Sequence, residues 1–215
     1  MIKLQKLIRK IERKNYKNKI QRKNKNKDFT IISQNCIGGV IYNDLGLEFK
    51  TPTINLFIED ENFIKLCENP KHYFSIDAEP KIEDYVDPID NRIHYPKIKV
   101  DDIEICCLHY KDCNSAVESW NRRRKRVNFD NMYIIANTWN LHNKKELVER
   151  LNKLKYKKII FSTKECNVEG TFLLPGDIWK LDERSIARPN ITDLKPKGFN
   201  RYYEDFFDII KFLNE

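Results

Sequence analysis

Nowhere in its 215 residues does this sequence run apolar for long enough to cross a bilayer, since a spanning helix needs roughly 20 consecutive apolar residues. Lys3, Lys6, Arg9, Lys10 and Arg13 interrupt the first apolar positions, so the hydrophobic region of a signal peptide is missing too. The expectation is a cytoplasmic chain, at most peripheral at the inner face of the membrane. Glycine is scarce: there are six, and only Gly38 and Gly39 are adjacent. No Gly-Lys-Ser/Thr follows that pair and no GxGxxG fingerprint occurs, so nucleotide binding is only weakly signalled. Six cysteines lack the density of a stapled secreted scaffold and fit a reducing compartment. Cys106 and Cys107 are neighbours on a predicted strand and point to opposite faces, and neither they nor Cys113 pairs with a CxxC or HxxxH. Asp84, Asp87 and Asp90 are spaced by threes, but Pro88 and the want of a glycine-centred loop exclude an EF-hand. His72, His94 and His142 stand in or near predicted loops without a motif. Neither a metal nor a cofactor is expected.

What is present is enough apolar material for one core. Residues are 40% hydrophobic and 12% aromatic, and a domain of this size hides roughly 70% of the surface of its unfolded chain. The net charge of +8 is unevenly placed. Residues 1 to 28 hold twelve Lys or Arg against Glu12 and Asp28, while the rest carries 28 basic and 30 acidic side chains. A basic arm on a near-neutral body points to an accessory anionic partner, a membrane surface before a nucleic acid, for which the body offers no motif. Within the arm, Leu4, Leu7, Ile8 and Ile11 recur at helical spacing, and from Asn15 to Asp28 the stripe thins into what reads as a solvated linker. Residues 29–215 then form a single domain.

Four buried-type strands are predicted: FTIIS at 29–33, IEICCL at 103–108, MYIIA at 132–136 and KIIFS at 158–162. Each ends in polar residues. Helical patterns stand between them, with a capping box at Ser115 and Glu118 and an apolar stripe at Leu147, Val148, Leu151 and Leu154. The alternation predicts an α/β fold, a mostly parallel sheet flanked by helices in a Rossmann-like three-layer arrangement, with the basic helical arm at its N-terminus. Residues 70–96, rich in Pro, Asp and Tyr, read as a loop or insertion. After Gly170 the chain is irregular until Tyr202, Phe206, Ile209, Ile210 and Leu213 predict a closing helix.

Ligands of open parallel sheets bind beyond the carboxyl ends of the strands, a rule that gathers Asn35, Cys36, His109, Asn137 and Lys164 at one edge. The turn from Ser33 to Gly39 has three uses. Cys36 is a nucleophile, with His109 as its base and Asn35 or backbone N–H groups near Gly38 holding an oxyanion; or the turn cradles an anion; or the cysteine is a buried residue and the glycines allow close helix packing. The run Arg122 to Arg126 either ends a helix as a solvated face or turns a guanidinium inward to clamp a phosphate or sugar acid.

Three blocks, SQNCIGGVIYNDLGLEFKTPTINLFI at 33–58, IEICCLHY at 103–110 and ESWNRRRKRVNFDNMYII at 118–135, resemble the bacterial domain of unknown function nineteen-nineteen. Its members are often labelled exopolysaccharide or capsular polysaccharide biosynthesis proteins. The resemblance runs from Phe29 to Glu215 and leaves out the arm. It implies candidate site residues at Asn35, Cys36, Gly38, Gly39, Thr51, Thr53, His109, Tyr110, Trp120, Arg123 and Arg126, with Gln34 and Phe129 as mild departures. The setting it implies is surface-polysaccharide assembly: a transferase or hydrolase acting on a sugar, nucleotide-sugar or lipid-linked glycan, or a non-catalytic module binding a glycan or a partner enzyme.

Overall fold

A computed structural model describes residues 2–81, 83–86, 92–138, 144–162, 164–174, 191–195 and 198–215. Asp87, Asp90 and His142 lie outside them. The chain opens with helix α1 (Ile2–Lys23), then strand β1 (Thr30–Ser33) and helix α2 (Ile37–Leu45). Helices α3 (Asp60–Glu68) and α4 (Pro70–Ser75) lead to short strands β2 (Glu79–Pro80), β3 (Tyr85–Val86) and β4 (His94–Tyr95), and to the hairpin of β5 (Lys97–Val100) and β6 (Ile103–Cys106). Helix α5 (Cys113–Arg123), strand β7 (Met132–Thr138), helix α6 (Lys145–Lys153), strands β8 (Lys157–Ser162) and β9 (Thr171–Leu173), and helix α7 (Ile209–Asn214) complete the order.

The fold is α/β, built on a four-stranded sheet in the order β1-β7-β8-β9, with every pair parallel. Side chains alternate across a strand, and here both faces are apolar. Ile32, Ile134, Ala136 and Ile160 join one core with α3, α5 and α6, while Ile31, Ile135, Ile159 and Phe161 join another with α2, α7 and Ile20 of α1.

Two expectations about the sheet need correction. The run IEICCL does not enter the parallel sheet: β6 pairs antiparallel with β5, and β5 with β2. The cause is local, because Asp101 takes a left-handed φ of 54° and turns the chain back between Val100 and Ile103, as tight hairpins require. The fourth parallel strand is instead β9, in a stretch read as irregular. Gly170 precedes it at φ 81°, where an added Cβ would stand 2.3 Å from the Lys158 carbonyl oxygen. The segment read as a linker from Asn15 is also different, since α1 continues to Lys23, with Arg13, Ile20 and Asn24 buried against the body. The stretch 70–96, read as a loop or insertion, holds α4 and, among its described residues, three two-residue strands.

The free edge of β1 is closed by side chains. Thr53 Oγ1 accepts from the Ser33 N–H at 3.1 Å and bonds Thr51 Oγ1 at 2.9 Å, and Ser33 Oγ donates to the Thr53 carbonyl at 3.1 Å. Such hydroxyls satisfy the main-chain groups that an open strand edge leaves unpaired. Beyond Thr53 the chain bridges the two sheets: Phe57 and Cys106 exchange N–H to carbonyl bonds at 2.7 and 2.9 Å, and Ile58 N–H donates to the Gln34 carbonyl at 3.0 Å.

Candidate functional site

That bridge carries His109 to the end of β1. The His109 N–H donates to the Asn55 carbonyl at 3.3 Å, and Asn55 itself holds a left-handed φ of 61°, a conformation asparagine tolerates better than most residues. The result is a cleft of about 450 Å3 lined by Cys36, Gly39, Val40 and Asn43 of the turn and α2, by Phe49 and Asn55, by His109, and by Thr192, Asp193 and Arg201. Three chain segments far apart in sequence meet there. Larger hollows, about 550 Å3 beside the start of β8 and about 600 Å3 between α1 and the C-terminal residues, are lined by none of the candidate site residues.

The turn divides its work. Asn35 Oδ1 accepts from the Ile37 N–H at 3.0 Å, closing the turn onto the first residue of α2, so its amide oxygen is already engaged. Gly38 is a packing residue: a Cβ there would stand 2.5 Å from Ser33 Oγ, so α2 can lie this close to β1 only without a side chain. Gly39 faces the cleft, with Ile54 Cγ2 3.3 Å from where its Cβ would be. Cys36 is half-buried at the rim. Burial pushes its thiol up to about 11, opposed only weakly by a backbone hydrogen bond. A helix start favours a thiolate, and desolvation at Cys36 works in the opposite direction. Iodoacetamide should label Cys36 in the folded protein near pH 7 at least about tenfold more slowly than in urea, because a free thiol titrates near 8.5. Peptide-resolved mass spectrometry measures the ratio, and equal or faster labelling when folded would contradict the burial argument.

Other residues singled out from sequence lie away from the cleft. Thr51 and Thr53 are fully buried and serve the β1 edge. Trp120 is 1% exposed in the core, its ring 5.9 Å from Phe74. Tyr110 donates to the Ile54 carbonyl at 3.0 Å and accepts from Arg123 Nη1 at 2.6 Å, which places both immediately behind the cleft wall. Arg123 also lies over the Phe49 ring, 5.3 Å from its centroid, so its charge backs an aromatic that lines the cleft. Arg126 pairs with Glu48 at 3.0 Å, and Arg124 with Asp77. Lys164 is exposed beyond β8.

Arg201 joins the cleft to a buried ion cluster. Its Nε and Nη2 meet the Asp44 carboxylate at 2.8 and 3.3 Å, and its Nη1 donates to the Thr192 carbonyl at 2.5 Å. Asp44, 1% exposed, also binds Arg13 of α1 and lies 3.4 Å from Lys17, while Arg13 pairs with Glu204 at 2.7 Å. Burial alone would raise the Asp44 carboxyl, but the Arg201 hydrogen bond and the charges of Arg201, Arg13 and Lys17 outweigh it and hold it below the usual range.

Asn43, Phe49, Asn55, Thr192, Asp193 and Arg201 were not singled out from the sequence. Asn55 carries a signal, a lone amide inside the apolar run INLFI. Among the described residues no group of three or more His, Cys, Asp or Glu could hold a metal ion, and no helix is long and apolar enough to cross a membrane.

The family model described as Domain of unknown function (DUF1919) matches residues 7–214. The match begins inside α1, so it takes in the arm that the three sequence blocks left out. The chain is also similar to a Haemophilus influenzae protein described as an uncharacterized protein, at 27% identity over 197 residues covering 91% of this chain and 88% of that one.

Proposed function

The chain belongs to the DUF1919 family, and from that premise and the cleft we propose that it binds a sugar or lipid-linked glycan in bacterial surface-polysaccharide assembly, as a transferase or hydrolase working at the inner face of the membrane. The observation that carries the reading is the meeting of Cys36, Asn55 and His109 in one cleft with the Phe49 ring. Sugars present an apolar C–H face and a rim of hydroxyls, and they suit a site with one aromatic platform and several amides and carboxylates. Asn43, Asn55 and Asp193 supply such groups beside Phe49. A position beyond the carboxyl end of a parallel strand, where ligands of doubly wound sheets bind, also supports the reading. Exposed His109 supplies the imidazole of the cleft, a group suited to general acid–base work. The polysaccharide setting rests on the resemblance of the three sequence blocks.

The burial of Cys36, which disfavours its thiolate, favours a second reading, a non-catalytic glycan-binding module. One pair of variants separates the two. Phe49→Ala is expected to weaken binding of nucleotide-sugars or polyprenyl-phosphate glycans, followed by saturation-transfer NMR, by about tenfold, or about 1.4 kcal/mol. His109→Ala should leave that binding within a few-fold, yet abolish surface polysaccharide in a complemented deletion strain if the cleft is catalytic. Polysaccharide output unchanged by His109→Ala selects the module. No sugar binding by the wild-type chain overturns both.

A further inference from the structure

We infer that the outward face of α1 is a docking surface for an anionic lipid bilayer. Leu4, Leu7, Ile8 and Ile11 are 63, 54, 46 and 51% exposed, an unusual concentration of large aliphatic side chains in water. They share one side of the helix. At about 100° per residue, the direction of these four lies about 180° from that of Arg9, Arg13, Tyr16, Ile20 and Asn24, the residues turned toward the body.

That opposite face is fastened. Arg9 donates to the Lys195 and Gly198 carbonyls at 2.5 and 2.7 Å, Arg13 is held by Asp44 and Glu204, and Gln21 Nε2 donates to the Asp44 carbonyl at 2.9 Å. The apolar stripe is thus aimed away from the protein by a clamp rather than left on a free tail.

Charge decides the occupant. Lys6, Lys10, Lys14, Lys19 and Arg22 are exposed on the same helix, against Glu12 as its exposed acid. Aliphatic side chains bordered by lysines suit the interface of a bilayer rich in anionic headgroups, with the stripe among the acyl chains and the ammonium groups at the phosphates. A second copy of so basic a helix would meet like charge. Because Asp44 binds both Arg13 of α1 and Arg201 of the cleft, a helix lying on the bilayer would be tied to the cleft by two ion pairs through one carboxylate. This surface exists whatever the cleft binds.

The test uses the full chain in flotation with vesicles of phosphatidylcholine, with or without phosphatidylglycerol. Binding is expected to the anionic vesicles, to weaken as salt rises, and to fall at least about tenfold in a Leu7→Glu, Ile8→Glu variant. Circular dichroism melting of the variant should match the wild type, since both side chains are exposed. A Leu7→Trp variant should blue-shift its emission on anionic vesicles. The inference is overturned by absence of anionic binding, by equal binding of the Glu variant, or by light scattering that shows a dimer broken by those glutamates without vesicle binding. Loss of sugar binding in Phe49→Ala leaves each of these readouts unmoved.

Discussion

Replacing Asp44 with alanine is expected to cost about 3 to 5 kcal/mol of folding stability, the usual effect of removing one partner from a buried ion pair. The carboxylate is 1% exposed and faces the guanidiniums of Arg13 and Arg201. Without it, among the described residues, the Arg201 side chain keeps the Thr192 carbonyl, and Arg13 keeps Glu204 and the Phe199 carbonyl. Buried Arg13 and part-buried Arg201 then lose the carboxylate that they share. The loss should fall on three elements at once, since the cluster ties α1, α2 and the segment near Arg201. Asp44→Asn preserves the shape but turns an amide N–H toward a guanidinium, so it should lose a similar amount.

The pH dependence identifies the charge as the cause. The folded carboxyl is held below its ordinary value of about 3.9, so it binds a proton less readily in the folded chain than in the unfolded one. Its contribution is therefore complete above the unfolded value and disappears as the pH falls through the folded value. In urea titrations, the gap between wild type and Asp44→Ala should be constant from pH 5 to 7 and narrow below about pH 4. A gap that stays constant into acid would mean that lost packing, and not charge, carries the effect.

Asp44 also marks a boundary of what the sequence discloses. Apolar periodicity is a local property, and it located β1, β7, β8, α2, α6 and α7 because each buries a face read at its own spacing. The two-residue reversal at Asp101 decided which sheet β6 joins, and a periodicity of 2 is the same in parallel and antiparallel pairs. β9 is three residues long, too short for a pattern. In the arm, the stripe that could be read, Leu4 to Ile11, faces water. Beside Tyr16 and Ile20, the residues that dock α1 are charged or polar, Arg9, Arg13 and Gln21, and composition makes such a face look solvated. The site divides in the same way. Cys36 and His109 were gathered by the rule about strand ends, although His109 reaches the cleft by a different route, through the Asn55 carbonyl. Thr192, Asp193 and Arg201 come from a stretch without periodicity, where only long-range contacts confer a role.

Trp120→Ala is expected to destabilise the protein by about 3 to 5 kcal/mol, the cost of emptying a large aromatic site. The side chain is 1% exposed on the inner face of α5, packed edge-on to Phe74 within the core that includes Ile32, Ile134 and Ile160. A tryptophan that bound substrate would give a different result: its alanine variant would fold with near wild-type stability and lose ligand. The indole adds a second discriminator, because its Nε1–H is buried and finds no acceptor among the described residues. Trp120→Phe removes that unsatisfied donor while keeping a ring, so the lost volume and the relieved donor oppose each other and the net cost should stay under about 1.5 kcal/mol. Urea midpoints of the two variants measure both numbers. A stable Trp120→Ala variant would move this residue back to the cleft side of the argument. A large loss in Trp120→Phe would show that the indole nitrogen has a partner, and that α5 is held by a hydrogen bond as well as by packing.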